Sequence, residues 1–213
     1  VIKLLRPTPN DNVLVAVSGG PDSMALLDFL SRKKKVIAVH HNHGADSCDY
    51  LEDLVRSYCN ERKLPLYCSK NHSSRKSSES WYEYWRNQRY FAFSAVRAGN
   101  EMAYIHTAHN LDDQVETWIM SSFSGGNPKL MPTINHSMGI SRPLLSTPKT
   151  ELISWCDRKS VPYFEEPTNF DSSGLRSKVR MQLIDQVLQV FPNLKSTIKN
   201  KMNNIEFLSM EEF

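Results

Sequence analysis

Ser18-Gly-Gly-Pro-Asp-Ser23 follows directly on Val13-Leu-Val-Ala-Val17 and leads into Met24-Ala-Leu-Leu-Asp-Phe-Leu30. The first run is short, apolar and rich in β-branched residues, so it predicts a strand, while the last carries apolar residues at helical spacing. Between them, two adjacent glycines permit a tight, partly left-handed turn. Its successive N–H groups converge on an anion, with the dipole of the following helix behind them. Phosphate is the natural guest. Asp22 and Ser23 then fall in the first helical turn, where Ser23 can donate to a phosphate oxygen and Asp22 can help hold a magnesium ion. The loop fits neither the lysine-bearing G-x-x-x-x-G-K-[ST] pattern nor G-x-G-x-x-G. A plainer reading leaves the glycines as a turn and Ser18 or Asp22 as a helix cap.

Outward from this loop, strand and helix patterns alternate. Residues 36–39 read as a second strand behind the basic run 32–35, 47–62 as a helix, and 64–68 as a third strand that its proline confines to an edge. The Ser-rich segment 72–80 reads as a loop, 80–97 as a long helix, 103–107 as a fourth strand and 111–122 as its helix. Alternation at this length predicts right-handed βαβ units and an α/β fold with a doubly wound parallel sheet, which binds ligands beyond its strand carboxyl ends. Residues 123–140 read as a loop or irregular excursion, 148–159 as a further helix, and 177–207 as two helices broken near Pro192. The expected organisation is a catalytic domain over 1–145 with a small C-terminal helical extension over 146–213 that completes it.

Composition narrows the setting. The 213 residues can bury a real core, and 40% hydrophobic with 23% charged residues is ordinary for a soluble fold. No apolar run is long enough to span a membrane, so a cytoplasmic protein is expected. Cys48, Cys59, Cys68 and Cys156 show no C-x-x-C spacing and read as reduced, mostly structural thiols. A net charge of only +3 says little about a nucleic-acid partner.

A second stretch, His106-Thr-Ala-His-Asn-Leu-Asp-Asp-Gln-Val-Glu-Thr117, runs off the fourth strand into a helix. His109, Asp113 and Glu116 stand four and three residues apart there, so their side chains share one face above the carboxyl edge of the sheet. Carboxylates so placed can hold an ammonium group or magnesium, and a neighbouring His can take up a proton. An acidic first turn capped by Asn110 is the plainer reading, and it suits Asp112 and Gln114 better than it suits the trio.

The first loop resembles the SGGxDS pyrophosphate loop of the PP-loop ATPases, and the second stretch resembles the TAHxxDDQxET motif of the tRNA(Ile)-lysidine synthetase family. Glu83-Tyr-Trp-Arg-Asn-Gln-Arg-Tyr90 is similar to that family's ExxARxxRY helix, Arg142-Pro-Leu-Leu145 to its RPLL, and Glu166-Pro-Thr-Asn169 through Arg176 and Arg180 to its DPxN…RNxIR segment. The motifs stand in the family's order. The resemblance implies an enzyme that uses ATP and Mg2+ to adenylate the C2 oxygen of the cytidine at the first anticodon position of an isoleucine tRNA, after which L-lysine displaces AMP. It implies that Ser18, Gly19, Gly20, Pro21, Asp22 and Ser23 hold ATP, with Asp22 on the metal. Asp113 and Glu116 would orient lysine beside His109, and Arg89 and Arg176 would balance phosphate charge.

Departures from the family pattern are also visible. The basic RGTGxxGLxGM stretch is replaced by Ser121-Ser-Phe-Ser-Gly-Gly-Asn-Pro-Lys129, Ala45-Asp46 stand where the family commonly has Leu-Arg, and Ser177 replaces an Asn. Additional C-terminal domains that grip the tRNA body are common in the family, and a short version lacking them is expected here. A tRNA thiolase of the same superfamily and a non-catalytic tRNA-binding relative are the competing readings; the lack of a C-x-x-C pair speaks against the first. On the long helix, Trp81, Trp85 and Phe91 are expected to face the core, with stacking on a base the alternative for Trp85, and Arg89 has a solvent-facing alternative beside Glu83 and Gln88.

Overall fold

The computed structural model describes residues 2–5, 12–44, 48–71, 75, 77–125, 127–165 and 174–211. Six strands form one sheet: β1 (Asn12–Ala16), β2 (Lys35–Asn42), β3 (Leu66–Lys70), β4 (Ile105–His106), β5 (Ile134–Asn135) and β6 (Ile140–Ser141). Their order is β3-β2-β1-β4-β6-β5, parallel except for β5 at the far edge. The chain therefore leaves β1 toward β2 on one side, and β4 stands on the other. That reversal opens a crevice between the carboxyl ends of β1 and β4.

β1 alternates as a doubly covered strand should. Val13 and Val15 enter one core cluster with Leu27 of α1 (Pro21–Ser31), Val55 of α2 (Cys48–Glu61) and Leu152 of α5 (Lys149–Lys159). Leu14 enters another with Phe93 of α3 (Trp81–Gly99), Ile105 and Ile140. Beneath the first face, Asp28 is fully buried and accepts from Tyr58 Oη at 2.7 Å, Trp155 Nε1 at 2.8 Å and Arg32 Nε at 2.8 Å. One carboxylate thus ties α1 to α2 and α5, and these donors hold its pKa below the usual range against the opposing effect of burial.

The expected edge strand is β3, displaced two residues along the chain; the Pro65 carbonyl accepts from Ala38 N at 2.9 Å just before it. The reading of 123–140 as wholly irregular is corrected, because β5 and β6 pair antiparallel there and β6 continues the parallel sheet through β4. Strands of two residues have no periodicity to read. The core-facing reading of α3 is corrected as well. Trp81 and Phe91 are exposed and Trp85 is half-buried, while Tyr84, Ala92 and Phe93 are buried. Spacing sets the angle around a helix axis, not whether a partner stands at that height.

Beyond the sheet, α4 (Leu111–Phe123) packs through Leu111, Val115 and Ile119 on Val179, Leu194 and Ile198 of the C-terminal helices. Those are α6 (Leu175–Lys178), a π-helical turn at Val179–Leu183, α7 (Ile184–Val190) and, after a break at Pro192, α8 (Leu194–Glu211). No helix among the described residues is long and apolar enough to cross a membrane.

Candidate active site

The crevice at the β1–β4 reversal holds a cavity of about 410 Å³, which the Ser18–Ser23 loop, the Thr107–His109 turn, Asp113 and Arg89 help to line. The loop folds as its glycines dictate. Gly19 has φ +93°, and a Cβ there would stand 2.8 Å from Leu51 Cδ2, so both backbone and space exclude a side chain. Gly20 caps α1 in extended conformation and Pro21 takes its first turn. Ser23 Oγ donates to Gly20 O at 3.0 Å and accepts from Ser18 N at 3.1 Å. Its one hydrogen is thereby spent inside the loop, and Gly20 N donates to Ser18 Oγ at 3.3 Å, so these groups shape the cradle while the Gly19 N–H and the N-terminal dipole of α1 remain to meet an anion.

Asp22 stands at the mouth of that cradle. Its Oδ1 is buried without a hydrogen-bond partner. Burial pushes its pKa up to about 7, Lys149 opposes the rise and Asp113 adds to it. A carboxylate oxygen left unpaired in a cavity wall is a cation ligand in waiting. No group of three His, Cys, Asp or Glu residues able to hold a metal occurs among the described residues. The unpaired Asp22 Oδ1 is a donor of the kind that Mg2+, which is often bound through one or two carboxylates, would fit.

The Thr107–Asp113 segment is built around a helix start. Asn110 Oδ1 accepts from Asp112 N at 2.9 Å and Asp113 N at 3.2 Å, and Asp113 Oδ2 accepts from Asn110 N at 3.0 Å, a reciprocal capping box. Asp112 accepts from Lys149 N at 2.8 Å and pairs with Lys195, and Gln114 bonds both ways with the Met131 backbone. Both serve structure, as their positions suggested. His109 precedes the helix, with Nδ1 2.8 Å from Thr107 Oγ1. The Thr107 hydroxyl also lies 3.4 Å from Ser141 O; when its hydrogen is given there, Nδ1 donates to Oγ1 and Nε2 is left as a base. Burial holds the His109 pKa well below its ordinary value, so the ring is neutral.

The expected trio is brought together only in part. His109 and Asp113 line the cavity, whereas Glu116 lies deeper along α4 at 2% exposure. Arg180 closes on Glu116 as a fork, Nε to Oε1 at 2.6 Å and Nη2 to Oε2 at 2.9 Å, and reaches Asp113 Oδ1 at 3.3 Å. Arg176 adds an ion pair to Glu116 at 3.0 Å and donates to Thr117 Oγ1 at 2.9 Å. Arg176, expected at the phosphate, thus shares the single Glu116 carboxylate with Arg180. Arg89 lines the cavity from α3, while the Glu166–Asn169 part of the late motif lies outside the described residues.

Sequence reasoning missed the histidines that end β2. His40, His41 and His43 all line the cavity. His40 Nδ1 meets Val17 O at 2.8 Å, and burial lowers the His43 pKa to about 3, with Arg89 adding to the fall. A polar triplet at the carboxyl end of a parallel strand was the available signal.

Comparison with known proteins adds context. Residues 1–187 match the family described as the PP-loop domain. The tRNA(Ile)-lysidine synthase of Enterococcus faecalis is 32% identical over 216 residues, which cover 93% of this chain and 45% of that protein. That of Lactiplantibacillus plantarum is 31% identical over 198 residues, covering 88% and 44%. The chain spans about half the length of the curated relatives it matches. Among solved structures, the U34-tRNA thiolase NcsA of Methanococcus maripaludis aligns with TM-score 0.74 at 18% identity, over 92% of this chain and 71% of that one. The NH3-dependent NAD synthetase of Campylobacter jejuni aligns with TM-score 0.52 at 16% identity, over 92% and 86%. At such identities the structural likeness carries the fold alone.

Proposed function

The chain belongs to the PP-loop domain family, and from that premise we propose that it carries the catalytic unit of a tRNA(Ile)-lysidine synthetase. The observation that carries this reading is one cavity walled on one side by the glycine loop after β1 and on the other by His109 and Asp113 after β4. One side suits a pyrophosphate, the other an amine nucleophile, and the relatives named above act on tRNA(Ile) to make lysidine.

In the proposed reaction the C2 oxygen of cytidine attacks the α-phosphorus of ATP and pyrophosphate leaves. The lysine amine then attacks C2, the C2–oxygen bond breaks, and AMP departs with that oxygen. Backbone N–H groups of the loop and the α1 dipole hold the pyrophosphate. Asp22 would hold Mg2+, which when bound neutralises phosphate charge. Arg89 reinforces that neutralisation from the opposite wall, since a guanidinium fork matches phosphate oxygens. Asp113 attracts the lysine ammonium, which releases one proton to solvent to become the nucleophilic amine, and neutral His109 accepts through Nε2 the second proton, lost from the nitrogen on attack. Glu116 acts through the arginines it binds, by fixing the C-terminal helices against α4.

Attack by sulfur is less supported, because the four cysteines include no C-x-x-C pair to carry sulfur and the sequence relatives named above are lysidine synthases. The test incubates the protein with ATP and isoleucine tRNA, with lysine present or omitted. Lysine-dependent AMP release and a lysyl residue gained on cytidine, read by mass spectrometry of the nucleosides, are expected. Sulfide-dependent turnover, or none, overturns the proposal.

A further inference from the structure

The amino-terminal end of α3 carries a row of rings that the reaction does not use. Trp81 is 56% exposed, although it is among the largest apolar side chains in the protein. Its indole centroid lies 5.6 Å from that of Trp85 at 35°, Trp85 lies 6.1 Å from His43 at 43°, and His43 lies 4.8 Å from His41. His43 and His41 are cavity walls. The row therefore runs from open solvent into the active site. Cationic groups accompany it: the Arg75 guanidinium sits 4.7 Å over the Trp81 ring, and the Arg86 guanidinium 4.7 Å over Tyr90, beside Arg89.

Trp81 meets the buried Tyr84 ring edge-on at 6.0 Å, and packing gives no account of the rest of its indole. It joins none of the core clusters, and α3 seats itself on the sheet through Phe93 and Tyr90 instead. An exposed indole loses apolar burial that another surface must restore, and a flat ring bearing a guanidinium presents a plane on which another π-system can lie. Positive charge around the row selects a polyanion whose units have flat faces. A second copy of this chain would bring the same arginines against its own.

We propose that Trp81 and Trp85 form the stacking track on which an unpaired RNA strand enters the cavity, with Trp81 bearing a base that flanks the one to be modified. This rests on the lysidine synthetase reading, since it takes a single-stranded loop as substrate. With ring centroids 5.6 Å apart and tilted by 35°, Trp81 and Trp85 leave no room for a base between them. The base therefore lies on the face of Trp81 that Arg75 covers, and the displaced guanidinium falls to the adjoining phosphate.

The probe is an unpaired RNA heptamer with an anticodon-loop sequence, titrated against tryptophan emission, with the same strand annealed to its complement as control. Wild type is expected to bind the single strand with quenching and to prefer it to the duplex. Trp81→Ala is expected to weaken binding about tenfold, as loss of one base–aromatic stack does, and Trp81→Phe to stay within about twofold of wild type. Absence of quenching in wild type, equal affinity in W81A, or a dimer that W81A converts to monomer in sedimentation overturns the proposal. Heptamer binding through Trp81 without lysine-dependent AMP release would remove the enzymatic reading and leave the track. Lysine transfer with an unchanged tRNA KM in W81A would do the reverse.

Discussion

Asp22 concentrates the electrostatics of the site in one carboxyl group. Its folded-state pKa lies near 7, above its ordinary 3.8. Between those values the folded chain holds a proton that the unfolded chain has released, so its contribution to stability falls as pH rises toward about 7. Asp22→Asn is therefore expected to melt with wild type at acid pH and above it beyond pH ~7, while MgATP affinity collapses. Melting curves across that range with parallel calorimetric titration check this, and superimposable melting curves would remove the buried charge. His109 has the opposite sign: its pKa is depressed from 6.5, so the stability tied to its neutral form is lost as pH falls below that value. Neither environment could be read from the sequence. Position after a glycine loop marked Asp22, but the unpaired Oδ1 follows from walls supplied by distant segments.

At the scale of elements, the two stretches that carry the site were legible because each is local. Strand, glycine turn and helix follow one another at 12–31, and the capping box of α4 is written within four consecutive residues, Asn110 to Asp113. Gly19→Ala should cost about 2 kcal/mol in denaturant unfolding, from its left-handed backbone and the contact with Leu51, and should lose nucleotide binding as well. What stayed illegible was long-range. Arg180 meets Glu116 across 64 residues, and no local pattern announces such a partner. Glu116→Gln should lower stability by about 1–3 kcal/mol, less than a fully dry pair because both arginines keep solvent contact. It should also loosen the helices after 174 before the sheet, which hydrogen exchange resolves. Uniform protection across both would place the ion pairs outside that attachment.

The molecule as a whole was legible in its class and in its near half. Alternating patterns from 13 to 122 foretold β1 to β4 with their helices, and the parallel sheet followed from the length of the connections. The far half was not, since β5 and β6 take their conformation from pairing with each other and with β4 rather than from their own residues. Because the cavity is bordered by several elements, a ligand there stabilises the whole fold. Saturating MgATP, at about a hundredfold its Kd, should raise the melting temperature by roughly 5–10 °C, and an unchanged melting temperature would move nucleotide binding elsewhere.

β1 and β4 are adjacent strands joined in register through Leu14↔Ile105 and Val15↔His106. Neighbouring strands stand about 4.8 Å apart whatever side chains they carry. The glycine loop springs from one and the His109 turn from the other, so the sheet serves as a gauge block for the reaction. On the proposed reading, the surrounding helices and loops decide which nucleic acid is admitted and how firmly it is gripped. The span between the glycine loop and the His109 turn is set by the backbone of those two strands, whatever side chains the surrounding segments carry.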